Sequence, residues 1–194
     1  MAAGRQGQTS PRFNMFLRLL HKLVSVGWIY DCSQFLAGAP LVRARLKPLM
    51  KDYPSGLLIL DVGGGTGFLQ RVLPPGCTHI CLDLELPKLQ RYLYTAAHPL
   101  ALLADGTMMP LRSRSVDVIA CIAVFHHLNE KQLGEMTAES WRALKPGGRL
   151  LVLEPLLNRR RWPGRILWSV DRGSCPRTAA QIRELIQGRF TVVH

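Results

Sequence analysis

Apolar residues fall along this chain in two rhythms. Short, mostly apolar runs recur at Leu57–Leu60, Thr78–Asp83, Leu100–Ala104, Val116–Val124 and Arg149–Glu154. Gly, Pro or polar clusters bound them, the pattern of buried strands in a parallel sheet. Between them Phe68–Leu73, Pro87–Ala97 and Lys131–Leu144 carry the spacing of amphipathic helices, and Thr178–Gln187 repeats it before an extended Phe190–Val193. Strands alternating with helices predict βαβ units with right-handed crossovers. The fold class expected is α/β: a Rossmann-like, mostly parallel sheet with helices on both faces.

Two helices precede this pattern. Ser10-Pro11 reads as N-cap and first helical position of a segment that Gly27 ends, and Pro40 opens a second helix reaching Lys51 before Tyr53-Pro54-Ser55-Gly56. The chain divides accordingly into an N-terminal helical cap, residues 1–56, and an α/β domain, residues 57–194. With 194 residues, 47% hydrophobic and 20% charged, it has the composition of a soluble globular protein and not of a disordered tail or a fibre.

Charge adds a second layer. The net +12 is confined to the ends: residues 1–56 and 158–194 each hold eight basic and two acidic residues, while residues 57–157 hold nine of each. Basic flanks around a neutral middle point to an anionic partner, or simply to a solubilising surface. Arg159-Arg160-Arg161-Trp162 and Arg165-Ile166-Leu167-Trp168 interleave cations with indoles. Such a stretch suits a solvated loop, an anionic membrane surface or nucleic acid. Nucleic acid ranks last, because no RNA-binding module accompanies it.

No run approaches the ~18 apolar residues of a membrane span. Phe13–Val26 is apolar, but Asn14, Arg18, His21, Lys22 and Ser25 form a narrow polar stripe, which disfavours a secretory signal. A packed helix, a membrane-surface helix and a mitochondrial presequence all fit that stripe, in that order of preference. The expected location is cytoplasmic, with a membrane-peripheral or mitochondrial one as alternatives.

Five cysteines at irregular spacing give no disulfide framework. Cys77-Thr78-His79-Ile80-Cys81 could aim ligands one way on a strand, but no second ligand pair is evident, so reduced thiols are expected and no metal.

The segment that carries chemistry is Asp61-Val62-Gly63-Gly64-Gly65-Thr66-Gly67, where a strand gives way to a helix. That junction is the ligand crevice of open α/β sheets. A dinucleotide fingerprint counted from Gly63 needs glycine where Phe68 stands, and a P-loop needs a lysine that Phe68-Leu69 does not supply. An acid two residues before the first glycine suits a cationic ligand better than a pyrophosphate.

Here the chain resembles the class I S-adenosylmethionine-dependent methyltransferases, in the group that includes the quinone-biosynthesis enzymes. Asp61, Gly63, Gly65 and Gly67 match that family's acid-x-Gly-x-Gly-x-Gly turn. Asp83 matches its acid at the end of strand two, and Asp105-Gly106 its acid after strand three. Phe125-His126-His127-Leu128 matches the exit from strand four, and Leu144-Lys145-Pro146-Gly147-Gly148 the turn before strand five. The resemblance covers roughly residues 57–157. It implies that S-adenosyl-L-methionine is held by Asp61, Gly63, Gly64, Gly65, Thr66 and Gly67, with Asp83 on the ribose and Leu84 beside the adenine. Asp105 and Gly106 would lie near the adenine amine, and Ile122 near the methionine moiety. Methyl transfer to a small-molecule or lipid-like acceptor is the implied activity.

No catalytic residue is assigned, because in-line positioning can carry this reaction. His126 and His127 are read as structural before catalytic, Asp117 as orienting local backbone, and Glu154 as a possible wall of the substrate cavity. Phe190–Val193 would be strand six of the family's seven, with the seventh missing. The alternative of another class is a noncatalytic protein that keeps the fold and works through its basic flanks.

Overall fold

The computed structural model describes residues 39–155 and 175–193. The N-terminal segment Phe13–Val26 and both Arg/Trp stretches lie outside the described residues. In chain order the elements are α1 (Ala39–Met50), β1 (Leu58–Val62), β2 (Thr78–Asp83), α2 (Leu86–Thr95), β3 (Leu100–Leu103), β4 (Val116–Ile122), α3 (Glu130–Ala143), β5 (Leu144–Leu153) and α4 (Ala179–Gln187). All pairings in the five-stranded sheet are parallel, in the order β3-β2-β1-β4-β5. The order reverses between β1 and β4, which puts the glycine turn at the topological switch point.

Side chains alternate across the sheet and sort the helices onto two faces. Ile59, Val118 and Ala120 pack with Met50 of α1 and Leu69, and on the same face Cys81 packs with Leu89 and Tyr92 of α2. Leu60, Val62, Leu82, Ile119 and Cys121 point the other way, onto Leu133 and Met136 of α3, with Ile182 and Ile186 of α4 behind them. Basic α1 buries Leu46 and Met50 one turn apart, and Met50 joins the cluster on this face of the sheet. The capping boxes Asn129/Gln132 and Thr178/Gln181 start α3 and α4, each satisfying two backbone N–H groups that the first helical turn leaves unpaired.

Some expected boundaries move. Phe68–Leu73 is not an α-helix but a 3₁₀ turn at Leu69–Val72, cut short by Pro74-Pro75. The first strand runs on to Val62, so Asp61 lies inside the ladder, opposite Cys81 and Ala120. β4 stops at Ile122 because Ala123 takes φ 54°, a left-handed conformation that no ladder accepts. β5 starts at Leu144, not Arg149: Leu144 pairs with Val116 and Arg149 with Val118, so Lys145-Pro146-Gly147-Gly148 bulges out within the strand. The expected sixth strand is absent. Residues 191–193 form no ladder, and Phe190 instead meets Trp141 of α3 edge-to-face at 5.4 Å.

Candidate active site

The glycine turn is built against β2. Gly63 and Gly64 donate their N–H groups to the Leu82 carbonyl at 2.7 and 3.2 Å, and Gly67 donates back to the Gly64 carbonyl at 2.9 Å. Gly65 donates to Asp83 Oδ2 at 2.9 Å, which ties the middle of the turn to the acid ending β2. Two glycines are demanded by the protein itself. Gly67 has φ 82° and a Cβ there would run into the Tyr92 ring; Gly63 has φ 68° and a Cβ there would lie 2.7 Å from Val124 Cγ2. The turn is therefore pressed between α2 and the segment after β4 before any ligand arrives.

Asp83 is buried, at 6% exposure, and its other oxygen accepts the Glu85 N–H at 2.8 Å. A carboxylate offers about four lone-pair sites. Two are used here, and two remain for hydroxyl donors. Leu84 beside it is 67% exposed, an apolar side chain held open at the strand end. Ile122 sits half-buried where β4 ends.

Asp105 and Gly106 are not brought into the same cluster by any bond. Asp105 is exposed, and its Oδ1 accepts the Thr107 N–H and hydroxyl, both at 2.8 Å, in a local turn. Gly106 is small for a packing reason: a Cβ there would come within 2.7 Å of Val62 Cγ1.

Asp61 is 1% exposed and faces sideways into the protein. Its Oδ2 lies 3.2 Å from His79 Nε2, and His79 Nδ1 lies 3.0 Å from the Tyr92 hydroxyl. Burial pushes the Asp61 carboxyl above the usual carboxylate range, the His79 contact opposes that rise, and the nearby Asp83 charge adds to it. His79 and Tyr92 were missed as site residues. The available signal was a histidine on a buried strand face, two residues from Cys81 and beneath the helix that carries Tyr92.

At the far side of the switch point Glu154 ends β5. Its Oε1 accepts the Val124 and Phe125 N–H groups at 2.7 Å each, and its Oε2 is 2.7 Å from His126 Nδ1. Glu154 thus holds backbone and does not present a carboxylate to a cavity. Buried Arg177 completes the clamp, donating to the carbonyls of Phe125 at 2.7 Å and Leu128 at 2.9 Å. Asp117 orients backbone as expected, accepting the Leu58 N–H at 2.9 Å while Lys145 Nζ pairs with it at 2.8 Å. Among the described residues no helix is long and apolar enough to cross a membrane.

Residues 60–152 match a family model described as a methyltransferase domain. Over 136 residues the chain is 32% identical to the tRNA (carboxymethyluridine(34)-5-O)-methyltransferase of Arabidopsis thaliana, covering 70% of this chain and 32% of that one. It is 35% identical over 162 residues to the ubiquinone/menaquinone biosynthesis C-methyltransferase of a Ruegeria species, covering 76% of this chain and 62% of that one. In both cases the chain spans less than two thirds of the relative's length. A solved S-adenosylmethionine-dependent methyltransferase from Archaeoglobus fulgidus shares the fold with a TM-score of 0.69 at 16% identity, over 83% of this chain and 73% of that one.

A parallel 3-2-1-4-5 sheet with an acid-led glycine turn at its switch point defines a Rossmann-like methyltransferase domain. The domain match over residues 60–152, the similarity to the quinone C-methyltransferase and the shared fold together support a class I S-adenosylmethionine-dependent methyltransferase.

Proposed function

We propose that the protein transfers a methyl group from S-adenosyl-L-methionine to a small-molecule or lipid-like acceptor, with the donor bound at the carboxyl ends of β1, β2 and β4. The observation that carries this reading is the bond from Gly65 N–H to Asp83 Oδ2 at 2.9 Å. It fixes an acceptor carboxylate beside a glycine-rich turn, an arrangement that suits a ribose diol next to a cationic amino acid. When bound, S-adenosylmethionine supplies an electrophilic methyl on a sulfonium. Asp83 accepts hydroxyl protons through its two remaining lone-pair sites, and Leu84 offers an apolar surface to the adenine. The buried negative charge of Asp61 opposes the ligand's positive charge. The Glu154–Arg177 clamp holds the segment after β4 rigid against the turn, so the chain's contribution to rate is orientation.

The small-molecule acceptor is favoured by the likeness to the quinone C-methyltransferase, of which the chain spans almost twice the share that it spans of the tRNA enzyme. The tRNA relative, together with the net charge of +12, favours a second reading in which the acceptor is RNA.

Saturating S-adenosylmethionine, at about a hundred times Kd, should raise the melting temperature by about 5–11 °C, with no effect of NAD. Asp83→Asn should weaken donor binding at least about tenfold, since one charge-assisted acceptor is lost. Label transfer from radiolabelled donor, run in parallel on small-molecule and lipid extracts and on bulk tRNA, separates the acceptors. Label in tRNA alone replaces the first reading with the second. No thermal response to millimolar donor overturns both.

A further inference from the structure

Asp61, His79 and Tyr92 form a line beneath the glycine turn that methyl transfer does not itself require. Three elements contribute one residue each: Asp61 from β1, His79 from β2 and Tyr92 from α2. All three are buried. The hydrogen-bond directions are mutually consistent for a neutral imidazole. The phenol O–H donates to His79 Nδ1 at 3.0 Å, which leaves the proton on Nε2 to donate to Asp61 Oδ2 at 3.2 Å. Every donor in the line points towards the carboxylate, and chained donors polarise one another in a low-dielectric interior.

Among the described residues His79 is the one donor to Asp61, so a buried carboxylate beside the cofactor turn depends on a single imidazole. We propose that His79 and Tyr92 are positioning residues whose hydrogen-bonded line keeps Asp61 ionised, and that through it they set the pH range over which the protein binds a cationic methyl donor. The inference rests on the donor-binding reading above and assigns part of that binding to two residues outside the glycine motif.

The other groups facing Asp61 all act against its charge or stay neutral. Asp83, across the ladder on β2, repels it. The Cys81 thiol on β2, on the same face, and the Cys121 thiol on β4, on the opposite face of the sheet, are both held protonated, first by burial and then by the surrounding carboxylates. The Tyr92 phenol is pushed up to about 12, chiefly by burial, so it remains a donor throughout the physiological range. Burial and Asp83 therefore favour a proton on Asp61, and the line through His79 is the opposing influence. The observable is therefore the midpoint at which Asp61 takes up its proton.

The experiment measures donor affinity by calorimetry from pH 5 to pH 8 in the full chain and in three variants. His79→Leu removes the donor, Tyr92→Phe removes the hydroxyl that orients the imidazole, and His79→Gln places an amide donor where Nε2 stood. The pH at which affinity begins to fall should move up by about one unit or more in His79→Leu, corresponding to about a tenfold loss at the acid end. It should move up less in Tyr92→Phe and stay near wild type in His79→Gln. A carbon-13 titration of the Asp61 carboxyl in ligand-free protein should show the same order of midpoints. Variants that melt cooperatively but keep the wild-type midpoint in both measurements overturn the proposal. A wild-type chain that binds no donor at any pH instead overturns the donor-binding reading, and the ligand-free titration then still decides whether the line holds Asp61 ionised.

Discussion

Two buried histidine–carboxylate pairs flank the switch point of this sheet, one between β1 and β2 and the other at the end of β5. Asp61–His79 spans 3.2 Å and Glu154–His126 spans 2.7 Å, and in both pairs the side chains are less than 5% exposed. By contact alone they look alike. They differ in what else each acid does. Glu154 spends its second oxygen on two backbone N–H groups, and Arg177 holds the same segment from the other side. Asp61 has only its imidazole, which leans on a phenol. The Glu154 pair shapes backbone, whereas the Asp61 pair keeps a charge. A buried histidine beside a carboxylate is therefore no signature of catalysis until the acid's remaining hydrogen bonds have been counted.

The sharpest way to break this contrast is Glu154→Ala. It strands two backbone N–H groups and the His126 ring, and should cost about 3–5 kcal/mol in urea denaturation. Gly67→Ala presses on the region between the two pairs. Its Cβ meets the Tyr92 ring at a φ that L-residues rarely adopt, so a loss of about 1–3 kcal/mol should accompany weaker donor binding.

Asp61→Asn should separate the pairs most cleanly. The Asp61 carboxyl is raised above its unfolded value, so its ionised form costs the fold at neutral pH, and that cost fades as pH falls through the folded pKa. The variant should stay within about 1 kcal/mol of wild type at pH 7 while donor affinity drops about tenfold or more. The smallest effect belongs to Asp117, outside both pairs. The Lys145 contact first, and the Leu58 N–H second, hold its carboxyl below the usual range. Its stabilisation is complete above the unfolded value and is lost as pH falls through the lowered folded value. After allowance for solvent screening, Asp117→Asn should remove no more than about 1 kcal/mol at pH 7, and less as pH falls through the lowered folded value in acid melts.

The strands were legible because a sheet buried on both faces forces continuous apolar runs, as in Val116–Ile122. The glycine turn was legible because its acid and glycines are adjacent in sequence. Its relation to Asp83 was visible only through a family pattern, since the 2.9 Å bond to Gly65 joins residues 18 positions apart. The Asp61–His79–Tyr92 line was not legible. It depends on the register of β1 against β2, which pairs Asp61 with Cys81 and so sets His79 diagonally beside it. Phe190–Val193 misled for the opposite reason: four residues of strand composition have no strand character without a partner, and Phe190 found Trp141 instead. Asp105-Gly106 matched a site pattern, yet the glycine answers to Val62 packing.

Cys81 gives the region a built-in clock. Its sulfur is fully buried beneath the turn, 3.7 Å from the Gly65 carbonyl, and its thiol is held protonated by burial. Only a thiolate reached by solvent reacts with an alkylating reagent. Modification of Cys81 therefore has to wait for the strand end and turn to open together, whereas Cys77 and Cys175, both partly exposed, can react in the closed state. Following alkylation of the Cys81 peptide by mass over time, separately from the Cys32 and Cys121 peptides, thus reads the opening frequency of the region beneath the cofactor turn in the native protein.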